Sequence, residues 1–83
     1  MVYLFVDKNG TEGCATECPI RGYRGYWEGW EDMYYSCSVV HLPKGAIEKL
    51  IGRVLTWDNE PYYYTGNEEI DRLNNPTYYK NNL

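Results

Sequence analysis

The hydrophobic and polar positions at the start of the chain predict a β-hairpin. Residues 1–6 are apolar and rich in strand-favouring side chains, so both faces of this strand are apolar and it is expected to be central in its sheet. Asp7–Gly10 supplies residues that tolerate a positive φ angle, and this turn leads into a second strand over Thr11–Thr16.

A glycine-rich stretch follows and interrupts the regular pattern. Three glycines lie between residues 22 and 29, which excludes a stable helix and favours an irregular or bulged extended segment. Beyond it, Met33–His41 is a run of strand-favouring residues without a turn signal. The pattern therefore predicts a further strand that ends before Leu42–Gly45.

The middle of the chain predicts a short helix between strands. Apolar residues recur at helical spacing over Lys44–Ile51, and Gly52 is placed to end that helix in the left-handed conformation. Strand patterns resume at Val54–Trp57 and, after a turn, at Tyr62–Tyr64.

The C-terminal part adds little regular structure to this pattern. Asn67 is a candidate N-cap for a single helical turn over Glu68–Asp71, and residues 74–83 are expected to form a loose tail. Together the elements predict one α+β domain over residues 1–83. Its architecture is a small antiparallel sheet of four to five strands with one short helix packed on it.

Composition favours protein binding over nucleic-acid binding. Twelve acidic residues against eight lysines and arginines give a net charge of −4, whereas a nonspecific nucleic-acid binder needs basic side chains to neutralise phosphates. The chain has ten tyrosines and three tryptophans but one phenylalanine. Because tyrosine combines a rigid ring with a hydroxyl, this composition suits interfaces better than a dry core.

The sequence also indicates a compartment. The apolar run at the start lacks a basic region and a small-residue cleavage site, and no run reaches the ~18 apolar residues of a membrane span. We therefore expect a cytoplasmic protein without a membrane partner. Cys14, Cys18 and Cys37 are an odd number, which argues against a disulfide framework and for reduced thiols.

An acidic, aromatic surface is predicted in the segment YWEGWEDMYY. Carboxylates placed among tryptophan and tyrosine rings can meet a partner's arginines through charge-assisted hydrogen bonds and cation–π contacts. The candidate contact residues in this segment are Trp27, Glu28, Trp30, Glu31, Asp32 and Tyr34. The alternative for the two tryptophans is that they fill the core while the acids keep the surface polar.

A second acidic stretch surrounds the strand Tyr62–Tyr64. Alternation along a strand places Tyr62 and Tyr64 on one face, and the acidic side chains that flank them extend the same kind of surface. Its candidate contact residues are Tyr62, Tyr64, Glu68 and Glu69. These rings also suit stacking on single-stranded nucleic acid, but the negative net charge disfavours that ligand.

A zinc site is the second chemical hypothesis. Cys14, Cys18, Cys37 and His41 form a Cys3His ligand set in which each pair is separated by three residues. Strand positions four apart are ~13 Å from each other, so only a bulge or turn near Ala15–Glu17 brings the first pair to one ion. The alternative is that the cysteines pack as small apolar residues and His41 ends a strand at the surface.

Residues that suggest catalysis are few. The single histidine, His41, lies four residues from Cys37 on the same predicted strand, too far for a direct hydrogen bond. The glycine-rich stretch lacks the preceding strand and following helix of a phosphate-binding loop. We therefore expect neither enzymatic activity nor a cofactor.

Two runs of sequence carry a family resemblance. LPKGAIEKLIGRVLTWDNEPYYY, at residues 42–64, and the opening YLFVDKNGTEG resemble small uncharacterised proteins of bacteriophages and prophages of Gram-positive bacteria. The resemblance covers about half of the chain and assigns a role to no residue. Because phage accessory genes of this kind include inhibitors of CRISPR nucleases and other defence systems, it implies an anti-defence role.

Charge, aromatic content and resemblance together predict a non-catalytic inhibitor. The expected partner is a host protein with a basic, nucleic-acid-binding surface, which a small acidic protein occupies as a mimic of the phosphate backbone. An unpaired sheet edge and abundant tyrosine are also compatible with a homodimer. The alternative is a small zinc-stabilised structural or regulatory module.

Overall fold

The protein has a small α+β fold, as predicted. A computed structural model describes residues 1–28 and 39–79. Its main sheet is antiparallel with four strands in the order β5-β2-β1-β6, and a separate two-stranded sheet pairs β3 with β4. The strands are β1 (Val2–Val6), β2 (Glu12–Ala15), β3 (Ile20–Arg21), β4 (Trp27–Glu28), β5 (Val39–Leu42) and β6 (Tyr62–Tyr64). The helices are α1 (Ala46–Ile51), α2 (Glu68–Asn74) and a 3-10 turn over Pro76–Tyr78.

The first hairpin confirms the sequence prediction. β1 lies between β2 and β6, so it is a central strand. In the turn, the Thr11 amide donates to the Asn9 side chain at 2.9 Å, and Gly10 has a φ of +91°. Phe5 pairs with Gly13 across the hairpin, and a Cβ at residue 13 would lie 2.6 Å from the Phe5 ring. Glycine is therefore needed there to let the ring lie across the neighbouring strand.

The sheet buries a hydrophobic cluster on each face. On one face, Leu4 and Val6 pack with Ile47 of α1, Leu55 and Tyr62. On the other face lies a separate cluster, which consists of Phe5, Ala15 and Trp27. Alternate side chains of β1 therefore lie on opposite faces of the sheet and enter two different cores. This agrees with the prediction from the apolar character of both faces.

Helix α1 is confirmed, with a start two residues later than predicted. Gly45 has a left-handed φ of +88°, so the helix cannot include it. The carboxylate of Glu12, on β2, accepts the backbone N–H groups of Gly45 at 2.6 Å and Ile47 at 2.8 Å. Gly52 ends the helix at φ +74°, as predicted, and its N–H donates to the Glu48 carbonyl at 2.8 Å.

Two predicted strands differ from the structure. Val54–Trp57 forms no strand and is absent from the sheet order; the Asn59 side chain accepts the Thr56 amide at 2.8 Å, which closes a turn there instead. The other strand, predicted over Met33–His41, is described only from Val39 onwards and extends to Leu42. The earlier part of that prediction lies outside the described residues.

The glycine-rich stretch contains a tight hairpin in place of an irregular segment. β3 and β4 are antiparallel, and the Gly22 amide donates to the Tyr26 carbonyl at 2.9 Å. Gly25 adopts a φ of +90° in the turn. The same glycines that exclude a helix therefore allow the chain to reverse within a few residues.

The C-terminal part is more ordered than predicted. Asn67 caps a helix as expected, since its side chain accepts the Ile70 amide at 3.1 Å, but α2 continues through Asn74 and is a second helix. The expected loose tail is wrong for residues 75–79, because Asn75 is 5% exposed and Tyr78 and Tyr79 pack against the core. Among the described residues, no helix is long and apolar enough to cross a membrane.

Candidate binding surface

Trp27 belongs to the core, which corrects its assignment to a contact surface. It is 5% exposed, its indole N–H donates to the Val6 carbonyl at 3.0 Å, and its backbone N–H donates to the Asp7 carboxylate at 2.8 Å. The backbone N–H of Lys8 also donates to the Gly25 carbonyl at 2.9 Å. These bonds hold the small β3–β4 hairpin against the end of β1, so the indole is unavailable to a partner.

The ring of Trp27 already holds an arginine from the same chain. The guanidinium carbon of Arg21 lies 4.6 Å from the Trp27 ring centroid and 4.8 Å from that of Trp57. The same guanidinium donates to the Trp57 carbonyl at 2.7 Å and lies 3.5 Å from the Glu60 carboxylate. The arginine contact expected from a partner is thus made internally.

The rest of the first predicted surface is only partly described. Glu28 is exposed on β4, and Tyr23 in the adjoining turn is 89% exposed. The other members of that surface lie outside the described residues: Trp30, Glu31, Asp32 and Tyr34. Glu28 and Tyr23 therefore keep this region as a candidate surface, without Trp27.

Tyr62 is also a core residue, contrary to the prediction. It is 2% exposed, and its hydroxyl lies 2.6 Å from the Tyr79 hydroxyl. Burial, together with the hydrogen bond to Tyr79, raises the pKa of Tyr62 well above the ordinary tyrosine value. Tyr64 is half-buried and packs against the same core cluster. The tyrosines of β6 therefore pack in the core and contribute little to an exposed surface.

Arginines cover the outer rings of this tyrosine cluster. The Arg53 guanidinium carbon lies 4.7 Å from the Tyr79 ring centroid, and that of Arg72 lies 5.2 Å from it. Arg53 also donates to the Tyr78 carbonyl at 2.7 Å. With Arg24 over Tyr23, all four arginines of the chain lie over aromatic rings of the same molecule. The positive charge of these arginines is therefore held against the protein's own rings.

A buried polar clamp fixes α2 against the sheet edge. The Asp71 carboxylate accepts the backbone N–H of Thr65 at 2.8 Å and its hydroxyl at 2.6 Å. The Asn75 side chain donates to the Tyr63 carbonyl at 2.9 Å and accepts the Tyr63 amide at 2.8 Å. Asp71 is 4% exposed, so this acid is structural and takes no part in an acidic surface.

The opposite side of α2 is exposed and both acidic and apolar. We define the outer face of α2 as Glu69, Ile70 and Leu73. Because helical residues advance by 100° each, Glu69 and Leu73 lie nearly opposite Asp71, and Ile70 lies about a quarter turn from it. Leu73 is 81% exposed and Ile70 46% exposed. Both predicted contact residues of this helix are exposed, but only Glu69 belongs to this face, since Glu68 pairs with Arg72 at 3.0 Å.

Sequence reasoning identified the acids of this face but missed its apolar residues. The spacing of Ile70 and Leu73, three residues apart next to Glu69, is the signal of a helical stripe. It was overlooked because only a single turn was predicted there. The exposed aliphatic side chains give this face apolar area that a partner can bury, and the carboxylate beside them suits the polar rim of an interface.

The sheet register separates two of the predicted zinc ligands. Cys14 pairs with Val40 and His41 pairs with Gly13, so the side chains of Cys14 and His41 point to opposite faces of the sheet. Cys18 is an exposed residue, and partial desolvation of its thiol together with the nearby Glu60 carboxylate raises the pKa of that thiol. Cys37 lies outside the described residues. Across residues 1–28 and 39–79, no three His, Cys, Asp or Glu side chains form a metal-binding group.

Comparison with known proteins identified no relative. No family model matches the chain, and neither a curated protein nor a solved structure matches it. The resemblance to phage accessory proteins therefore stays a prediction.

Proposed function

We propose that this chain is a non-catalytic, phage-type protein that acts in the host cytoplasm by binding and inhibiting a nucleic-acid-handling protein. A CRISPR nuclease or another defence effector is the class of target. The contact is made through the outer face of α2, with Glu69 supplying charge and Ile70 and Leu73 supplying apolar area. The exposure of these three side chains on a helix that is clamped from behind is the observation that carries the proposal.

Charge supports a basic partner for this face. The net charge of −4 repels nucleic acid and anionic membranes, and it steers the protein toward a positively charged surface. Glu69 makes no ion pair with any described residue, so its carboxylate is available to a lysine or arginine. Such an acidic protein competes with nucleic acid for the same groove of a nuclease or regulator.

Apolar contact supplies the affinity in this proposal. Fully burying an exposed leucine stabilises a complex by about 1.5–3 kcal/mol, and Leu73 has most of its surface still to bury. The clamp formed by Asp71 and Asn75 holds the helix in place before binding, so little conformational entropy is lost on association.

The experiment is a capture from lysate of a Gram-positive host, with three immobilised proteins compared. The wild type, a Leu73→Ala/Glu69→Gln variant and a Glu48→Gln variant are used, because Glu48 is an exposed acid on α1. Bound proteins are identified by mass spectrometry and then challenged with excess duplex DNA. We expect the wild type and the Glu48 variant to capture the same DNA-binding protein, and excess DNA to release it. The α2 variant should not retain that protein.

Two results would contradict the proposal. One is equal retention of the same partner by all three proteins, which would exclude the outer face of α2. The other is a partner that excess DNA fails to release, which would exclude competition with nucleic acid. Replacing Glu28, Glu31 and Asp32 by lysine tests the first predicted surface in the same format.

A further inference from the structure

Side chains from α2 and its C-cap occupy the outer edge of β6. The Asn75 side chain accepts the N–H of Tyr63 at 2.8 Å and donates to its C=O at 2.9 Å, and the Asp71 carboxylate accepts the N–H of Thr65 at 2.8 Å. Residues 63 and 65 are two apart, which is the spacing of backbone groups that point the same way along a strand. The two side chains therefore make the bonds that a neighbouring strand would make.

The register of β6 against β1 agrees with this direction. Tyr63 lies opposite Tyr3, and their ring centroids are 4.8 Å apart. Because both backbone polar groups of Tyr63 bond to Asn75, its pair with Tyr3 is a non-hydrogen-bonded one, in which facing side chains come closest. The N–H and C=O of Tyr63 thus point away from β1, at the edge of the sheet.

The helix α2 packs on the sheet by its polar side, which is the reverse of an ordinary surface helix. Of its residues, all of which are described, Asp71 alone is buried, whereas Ile70 and Leu73 are exposed. Helices of globular proteins usually turn an apolar stripe inward. Lifting α2 from β6 therefore breaks hydrogen bonds but exposes less apolar surface than the release of an ordinary helix, and another strand can replace those bonds.

We propose that α2 is a releasable cap, and that β6 of a second copy of this chain is the strand that replaces it. A two-fold axis through Tyr63 pairs the N–H of each copy with the C=O of the other. Two residues further along, the N–H of Thr65 meets the carbonyl of Pro61, and proline has no N–H that would be left unpaired there. The two four-stranded sheets then join into one continuous sheet.

A second copy fits this edge because the edge is self-complementary. Each outward N–H finds an acceptor on the same strand of the other copy, as a two-fold interface requires. The contact uses β6 and the inner side of α2, so it goes beyond the proposed function, which uses the outer face of α2 in the capped monomer. A failure of the lysate capture leaves the β6 contact untouched.

Amide hydrogen exchange of the dilute wild type tests whether the cap is released. By alternation, the N–H groups of Tyr62 and Tyr64 face β1, so they are freed only when the sheet opens, whereas those of Tyr63 and Thr65 are freed by lifting α2 alone. After correction for intrinsic rates, we expect the second pair to exchange at least about tenfold faster than the first. Equal rates would overturn the inference, because cap and sheet would then open only together.

Sedimentation of variants tests what replaces the cap. Asp71→Ala/Asn75→Ala removes the cap bonds, and Asn74→Ala, exposed at the end of the same helix, is the control. We expect the double variant to sediment as a dimer at a concentration at which the control is a monomer. Adding Tyr63→Lys should abolish that dimer, because two lysines would face each other across the axis.

Two outcomes of the sedimentation experiment contradict the proposal. One is a folded double variant that stays monomeric, and the other is an assembly that survives Tyr63→Lys. If circular dichroism shows that the double variant is unfolded, Asn75→Ala alone takes its place, since it keeps the Asp71 bonds to Thr65. The exchange rates of the wild type need no variant and decide in every case whether the cap opens separately.

Discussion

Replacing Asn75 by alanine is expected to destabilise the protein strongly. The Asn75 side chain makes three hydrogen bonds of 2.7–2.9 Å, two to the backbone of Tyr63 and one to the Asp71 carbonyl. At ~0.5–1.5 kcal/mol of net stabilisation for each bond, Asn75→Ala should lower the free energy of unfolding by about 2–4 kcal/mol. The side chain is 5% exposed, so water replaces these bonds poorly.

This loss is large relative to the total stability of so small a domain. At ~0.05–0.15 kcal/mol per residue, a chain of this length has a free energy of unfolding of roughly 4–12 kcal/mol. At about 4–8 °C per kcal/mol for a domain of this size, the expected fall in Tm is roughly 8–32 °C. Asn75→Ala also frees the N–H and C=O of Tyr63 on the β6 edge, so we expect the variant to aggregate more readily.

The assay is urea unfolding followed by tryptophan fluorescence and circular dichroism, with Asn74→Ala as the control. Asn74 is the exposed last residue of α2, adjacent in sequence and identical in type. The control should remain within about 0.5 kcal/mol of the wild type. If Asn75→Ala is as stable as Asn74→Ala, the clamp does not hold the sheet edge and the reasoning about the preordered α2 fails.

Three further predictions concern the remaining buried polar contacts and metal content. Glu12→Ala should lower the free energy of unfolding by about 1–2 kcal/mol because α1 loses its cap, while Glu48→Ala should have little effect in the same urea experiment. Because burial and the bond to Tyr79 raise the pKa of Tyr62, the folded state holds that proton more tightly than the unfolded state. The free energy of unfolding should therefore fall as pH rises above the ordinary tyrosine pKa of about 10. Tyr62→Phe should reduce this alkaline loss of stability. Equal losses in the wild type and the variant would contradict the assignment to Tyr62. Protein purified without chelator should hold less than about a tenth of an equivalent of zinc by elemental analysis, and one equivalent would restore the zinc hypothesis.

Features set by neighbouring residues could be predicted from the sequence. The turn at Asp7–Gly10, the end of α1 at Gly52 and the cap at Asn67 each depend on conformational preferences of a few adjacent residues. The acids Glu68 and Glu69 were also placed correctly at the surface, because the first turn of a helix favours them and their side chains need solvent.

Features set by contacts distant in sequence could not be predicted. Val54–Trp57 has strand propensity, but a strand also needs pairing along its length, and here Thr56 bonds to Asn59 in a turn instead. The Glu12 carboxylate caps a helix more than thirty residues away, which no local pattern reveals. Trp27 packs in the core with Phe5 and Ala15, where Asp7 and Val6 accept its two N–H groups, so its composition-based assignment to a surface was wrong.

The burial of Tyr62 and the arginine contact of Tyr79 reduce the number of tyrosines that a partner can reach. The excess of aromatic residues suggested rings exposed to a partner, yet Tyr62 lies in the core and Tyr79 lies under Arg53. The exposed apolar side chains of the proposed surface on α2 are Ile70 and Leu73. The proposed binding surface therefore consists of aliphatic and acidic side chains on α2, and the aromatic rings that were first predicted are not part of it.

The role of the outer face of α2 is decided by the affinity of the purified partner for two variants of this protein. Titration calorimetry would compare Leu73→Ala/Glu69→Gln with Glu48→Gln, after circular dichroism has shown that both are folded. We predict that the α2 variant binds at least about tenfold more weakly, as expected when a buried leucine and a charge contact are lost, while the Glu48 variant binds like the wild type. Wild-type affinity in the α2 variant would contradict the assignment of the outer face of α2 as the binding surface.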